Sequence, residues 1–220
     1  LNSWGVSFDT SKVLTDNELA LRVSMGQNQR PIPHLGMLGV QRNYLSQDDI
    51  VTNGLETINM SSVGSISQAD GATTLFEPII VSSTDAMLMD TALLEDVTDP
   101  SILFDEFISA NQSYVIAARV SGEVNSAFPE GRPAEAETDP AQESENTDNT
   151  NSQEQVAADS AVTTHIAASE GPINLLIFSD TDMLSDRMWV QVGQFMGQRI
   201  PQPFANNGDL VINALDNLSG

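Results

Sequence analysis

The chain has 220 residues with 31 Asp plus Glu against 8 Lys plus Arg, a formal charge of −23, so nucleic-acid phosphates and anionic lipid would both repel it. With no cysteine, disulfides, thiolate catalysis and cysteine-bound zinc or iron–sulfur centres are excluded. Hydrophobic residues at 40% suffice for a core, and no apolar run approaches the roughly 20 residues that cross a bilayer.

In chain order, 6–8 and 12–14 read as short extended pieces around an Asp9-Thr10-Ser11 turn. Segments 19–24 and 31–40 are ambiguous, and Pro31 and Pro33 argue against a central strand in the second. Ser46 followed by Asp48 and Asp49 has the pattern of an N-cap and acidic first turn, predicting a short helix to about Leu55. Strands are predicted at 57–63, at 72–82 with its PIIV run, and at 113–121, where β-branched and aromatic residues cluster without Gly or Pro.

From 123 to 171 apolar periodicity stops and Glu, Asp, Asn, Gln, Ser, Thr, Ala and Pro take over. Such a stretch buries too little surface to offset its ordering entropy. It reads as a long acidic surface insertion, largely disordered, with a short helix near 153–161. Loop-closure cost rises slowly with length, so 1–122 and 172–220 are expected to form the two parts of one α/β domain.

After the insertion, PINLLIFS (172–179) is predicted to be a strand buried on both faces in the middle of a parallel sheet. A loop and then a helix from about Ser185 follow, because Met188, Val192 and Phe195 share helical spacing around Trp189. The last segment sets Leu210, Ala214 and Leu218 on one stripe, an amphipathic helix that Asn206 or Asn207 could cap and Gly220 could end. The alternation of strand and helix signals predicts an α/β fold.

The most suggestive chemistry is Ser179, Asp180, Thr181 and Asp182 at the carboxyl end of the predicted buried strand. Ligands in open α/β sheets bind at such ends, and paired carboxylates with hydroxyls suit hard cations. The same residues are also ordinary turn and cap residues. Further oxygens could come from Ser82, Ser83 and Asp85, so Ser83 and Asp85 join the tentative ligand-binding set and Asp180 and Asp182 are the metal candidates. His34 and His165 stand alone without a metal spacing, no GxSxG elbow supports a nucleophile, and no phosphate-binding glycine loop is present. No catalytic residue is nominated and no cofactor is implied.

Taken in order, WGVSFD (4–9), DNELALRV (16–23), FEPIIVSSTDAMLM (76–89), YVIAARVSG (114–122), NLLIFSDTDMLSDRMWVQV (174–192) and FANNGDLVINALDNLSG (204–220) resemble the GldG-type auxiliary component of bacterial ABC transport systems, the family associated with gliding motility. The resemblance implies a non-enzymatic domain on the periplasmic face of the inner membrane, anchored by segments outside this chain. It also implies ABC permease and ATPase partners and a flavodoxin- or amidotransferase-like, mainly parallel sheet flanked by helices. A start at Leu1 and an end at Gly220 lead us to expect a piece of a larger domain, whose exposed edge could pair two copies into a homodimer. The alternative from another class is a carbohydrate- or metal-binding module, or a metal-assisted hydrolase using the 179–182 turn.

Overall fold

The fold was obtained as a computed structural model and is described for residues 1–24, 30–95, 97–131 and 165–220. The bulk of the acidic segment and the helix predicted at 153–161 lie outside these residues. Twelve strands are described: β1 (Val6–Phe8), β2 (Lys12–Asp16), β3 (Ala20–Val23), β4 (Ile32–Gln41), β5 (Thr57–Ser61), β6 (Ile66–Gln68), β7 (Leu75–Val81), β8 (Ala86–Asp90), β9 (Val115–Gly122), β10 (Ile173–Phe178), β11 (Val190–Phe195) and β12 (Gln198–Pro203). Two α-helices accompany them, the single-turn α1 (Ala92–Glu95) and the terminal α2 (Asn207–Ser219).

Every strand pair is antiparallel. The expected α/β fold with a mainly parallel, flavodoxin-like sheet is therefore wrong. The largest sheet runs β1-β6-β9-β10, with β7 on the other side of β9; β3-β4-β5, β2-β8 and β11-β12 form smaller sheets. Adjacent antiparallel strands need only short connections, so helical crossovers are not required.

The misreading has a specific cause. INLLIF is apolar at nearly every position because Leu176 and Phe178 pack on the main core while Leu175 and Ile177 pack on a second cluster around Val6, Ile66, Ala118 and Val120. Both faces find apolar neighbours, yet among the described residues β10 is an edge strand paired with β9 alone, Ile173 opposite Gly122 and Phe178 opposite Ala117. Continuous apolarity records what covers a strand's faces and is silent about its neighbours' direction.

The helix expected from Ser185 is also replaced. Short 3-10 turns at Asp182–Leu184 and Asp186–Met188 lead into the β11–β12 ribbon. Met196 and Gly197, at φ 50° and 78°, form its two-residue turn between Phe195 and Gln198, which pair. Positive φ at both central positions is the geometry that fits the twist of a hairpin. Trp189 packs against α2: a methyl on Gly208 would lie 2.7 Å from its ring. Gly208→Ala should therefore cost about 1–3 kcal/mol through overpacking, read from urea unfolding together with a change in Trp189 fluorescence; an unshifted transition would refute the close approach.

Other expectations held or shifted locally. Strands appear within 57–63, 72–82 and 113–121, and the terminal helix buries Leu210 and Ala214, although Leu218 is largely exposed. Segment 31–40 is the central strand β4 after all. Its Pro33 pairs with Arg22 of β3, whereas β5 flanks β4 only from Met37 onward, so the missing N–H affects one ladder at most. Ser46 Oγ accepts from the N–H groups of Asp48 and Asp49, both at 3.3 Å, as a cap would, but the chain continues as turns and not as a helix.

The main core joins Leu14 of β2, Leu38 and Val40 of β4, Ile58 and Met60 of β5, Ile79 and Ile80 of β7, Ile116 of β9 and Leu210 of α2. The acidic segment leaves from the tip of the β9–β10 hairpin. Its two ends are clipped together by an Asn125–Ala168 bridge and by Ser169 N–H donating to Val124 O at 2.8 Å.

Candidate functional site

The 179–182 turn follows β10, and its polar groups are turned toward backbone. Ser179 Oγ lies 2.7 Å from Ile116 O and 2.9 Å from Gly64 O, to which its hydroxyl proton is shared. Asp180 is only 9% exposed; its Oδ2 accepts from Ser61 N–H at 3.0 Å and its Oδ1 from Asp182 N–H at 2.6 Å. Burial pushes its carboxyl up to about 6, against the lowering pull of N–H donors from Ser61, Asp182 and Met183. Thr181 is exposed, and Asp182 sits 3.8 Å from the exposed Arg187 guanidinium.

The Ser61 contact belongs to a larger device. β5 is the last strand of its sheet, and its outer N–H groups alternate at 57, 59 and 61. Asn206 Oδ1 accepts from Thr57 N–H at 3.2 Å, Asn207 Oδ1 from Asn59 N–H at 3.0 Å, and Asp180 from Ser61. On the carbonyl side, Asn206 N–H donates to Thr57 O and Asn207 Nδ2 to Asn59 O at 2.6 Å, with a second bond from Nδ2 to Met183 O at 2.9 Å. Three side chains and one amide thus stand where a neighbouring strand would be. This explains why Asn206 and Asn207, read as helix caps, make no side-chain cap bond to α2.

Ser83 and Asp85 serve a different place. Ser83 donates from both N–H and Oγ, each at 2.8 Å, to the fully buried Asp16, which also accepts from Leu19 N–H at 2.9 Å. Burial raises the Asp16 carboxyl above its ordinary value in spite of these donors. Asp85 accepts from Asn17 Nδ2 at 2.8 Å. Ser82 Oγ donates to Ser83 O at 2.7 Å and accepts from Tyr114 N–H at 2.8 Å. The two candidate groups do not meet, and no cluster of three His, Asp or Glu converges among the described residues. His34 is half-buried, with Nδ1 accepting from Gly36 N–H at 3.2 Å, and burial lowers its pKa; His165 is exposed.

A cavity of about 350 Å³ opens beside the turn, with Leu1, Phe8, Ile66, Ile177 and Phe178 as its apolar wall and Ser61, Ser62 and 179–182 at its rim. A larger hollow of about 710 Å³ at the root of the acidic segment is walled by small polar residues and holds none of the predicted site residues. Sequence reasoning missed Asp16, the strand-closing role of Asn207 and the bidentate Arg119–Asp49 pair, at 2.7 and 3.0 Å. Burial works to raise the Asp49 carboxyl, but Arg119 and the Val51 N–H outweigh it and hold the group below its ordinary value.

The two buried carboxylates, Asp16 and Asp180, are thus held by backbone N–H donors and, at Asp16, by the Ser83 hydroxyl as well. A family model described as ABC-type uncharacterized transport system matches residues 1–214. The chain belongs to this family. Comparison with curated proteins and with solved structures gives no match. Membership makes this chain an auxiliary component of an ABC-type transport system, which suggests partners in the same transporter and association with the membrane. The family is one of auxiliary transport components, in keeping with a chain that is not an enzyme. Among the described residues no helix is long and apolar enough to cross a membrane.

Proposed function

We propose that this chain is a non-catalytic domain of an ABC transport auxiliary, working on the periplasmic face of the bacterial inner membrane, where it contacts the permease or presents a substrate to it. The family match across 1–214 carries the reading. It is supported by the commitment of Ser179, Asp180, Ser83 and Asp16 to backbone and neighbouring side chains, which leaves the candidate groups holding strands and turns together. In this reading 1–122 and 172–220 form one domain around the β9–β10 hairpin, and Ser179, Asp180, Thr181 and Asp182 form the rim of the contacting surface. The GldG-type, gliding-motility membership is part of the same proposal.

Cross-linking in intact cells, with mass spectrometry of what is captured by the full-length parent, is expected to recover a permease and an ATPase of one transport system. Recovery of envelope glycans or unrelated soluble proteins alone would refute it.

A further inference from the structure

Several sheet edges carry devices against further pairing, whereas β10 does not. β5 is closed by Asn206, Asn207 and Asp180. β7, one edge of the largest sheet, carries exposed Glu77 and Pro78, has register shifts at Pro78 and Ile80, and is met by Ser46 N–H at Ile79 O. β12 holds Pro201 and Pro203. Charges, prolines and bulges are the devices by which native sheets discourage further pairing.

The opposite edge of the largest sheet, β10, has none of them inside the strand. INLLIF contains no charge or proline, its register with β9 is unbroken, and among the described residues its backbone pairs only with β9. The cavity walled by Ile177, Phe178, Phe8 and Ile66 continues this edge and could receive an apolar side chain.

We propose that the free edge of β10 is a strand-addition site for an extended segment of a partner protein, apolar in alternation and carrying Lys or Arg at its ends. Main-chain hydrogen bonds would supply affinity and alternate side chains specificity. The charge requirement follows from what flanks the strand. Glu170 precedes β10, and Asp182 and Asp186 follow it, three carboxylates against Arg187, which faces Asp182 at 3.8 Å, while Arg119 is paired with Asp49. A second copy fits poorly: antiparallel pairing of two β10 strands about Leu175 and Leu176 would bring Glu170 of each toward the 180–182 turn of the other, and each chain carries −23.

The proposal deepens the accessory-protein reading and rests on it for the partner being a transporter subunit. The test uses the ¹⁵N-labelled chain with a short peptide of alternating Val and Thr ending in Lys at both ends, and the same peptide ending in Glu. At about tenfold excess over its Kd the Lys peptide should slow hydrogen exchange within 173–178 by about tenfold, and the Glu peptide should not. Glu170→Lys with Asp182→Lys, both at solvent-accessible positions, should reverse that preference. Unchanged exchange with every peptide, or protection of 173–178 by dimerisation of the free chain, would overturn the proposal. In cells, a photo-cross-linker at Gly171, where a Cβ meets nothing within 4 Å, should capture an extended permease segment. A permease recovered from the parent but never through position 171 would overturn the edge site and leave the accessory reading standing. Peptide protection without any transporter subunit in cells would support the edge and sink the accessory reading.

Discussion

Replacing Asn207 with alanine is expected to destabilise the fold by about 3–5 kcal/mol. The residue is 1% exposed and makes three hydrogen bonds to backbone, to the N–H and C=O of Asn59 and to Met183 O. Alanine would leave all three groups buried without a partner, and each such loss costs about 1–3 kcal/mol. The neighbouring Asn206 does the same work at Glu56 and Thr57 but is only half-buried, so water can replace its carbonyl and Asn206→Ala should cost about 1 kcal/mol. Urea unfolding of the two variants decides the matter. Equal losses would mean that closing the β5 edge contributes little beyond its exposed end.

The second large effect depends on pH and belongs to Asp180. A carboxyl whose value is about 6 when folded, against roughly 4 when unfolded, binds its proton more tightly in the native state. Its ionised form therefore penalises the fold above about pH 6, and the penalty is relieved as pH falls toward 4. The stability of the native chain minus that of Asp180→Asn should rise by about 2–3 kcal/mol between pH 7 and pH 4. Asp16, also raised, contributes equally to both proteins and cancels. Asp49 is held low by Arg119 and loses its contribution only below the ordinary carboxylate range, outside this window. A difference that stays flat, or falls with acidification, would show that the Asp180 carboxylate is not desolvated as its burial implies.

The two predictions concern residues whose roles differed in legibility. Strand β9 could be read from SYVIAARVS, and α2 from the stripe of Leu210 and Ala214, because each carries its burial pattern within one short window. β10 was visible as a strand, but its place was not: a parallel interior strand and an antiparallel edge strand with two packed faces have the same apolar run. The β11–β12 ribbon was hidden because Met188, Val192 and Phe195 satisfy helical spacing while Val190 and Val192 also alternate; the one signal was Met196-Gly197, a turn pair without the usual Asn or Asp.

At the candidate site, Asp180 was singled out by its position after a strand, and it does carry a perturbed carboxyl. Its partner Ser61 lies 119 residues away, and Asn207 lies 148 residues from Asn59. No local pattern encodes which strand edge a distant side chain will cover. Ser83 and Asp85 looked like further ligands because hydroxyl and carboxylate types are shared by cation sites and buried hydrogen-bond networks, and Asp16, which distinguishes the two, is remote in sequence.

That separation also sets a timetable for biosynthesis. At roughly 5–20 residues per second, the ribosome needs roughly 7–30 s after making Asn59 to deliver Asn207. Over that interval a nascent β3-β4-β5 sheet would present an open rim to whatever chaperone or translocation machinery attends the emerging chain. A polypeptide released before residue 206 would carry that rim permanently, so premature termination should yield aggregates rather than a slightly shortened native protein.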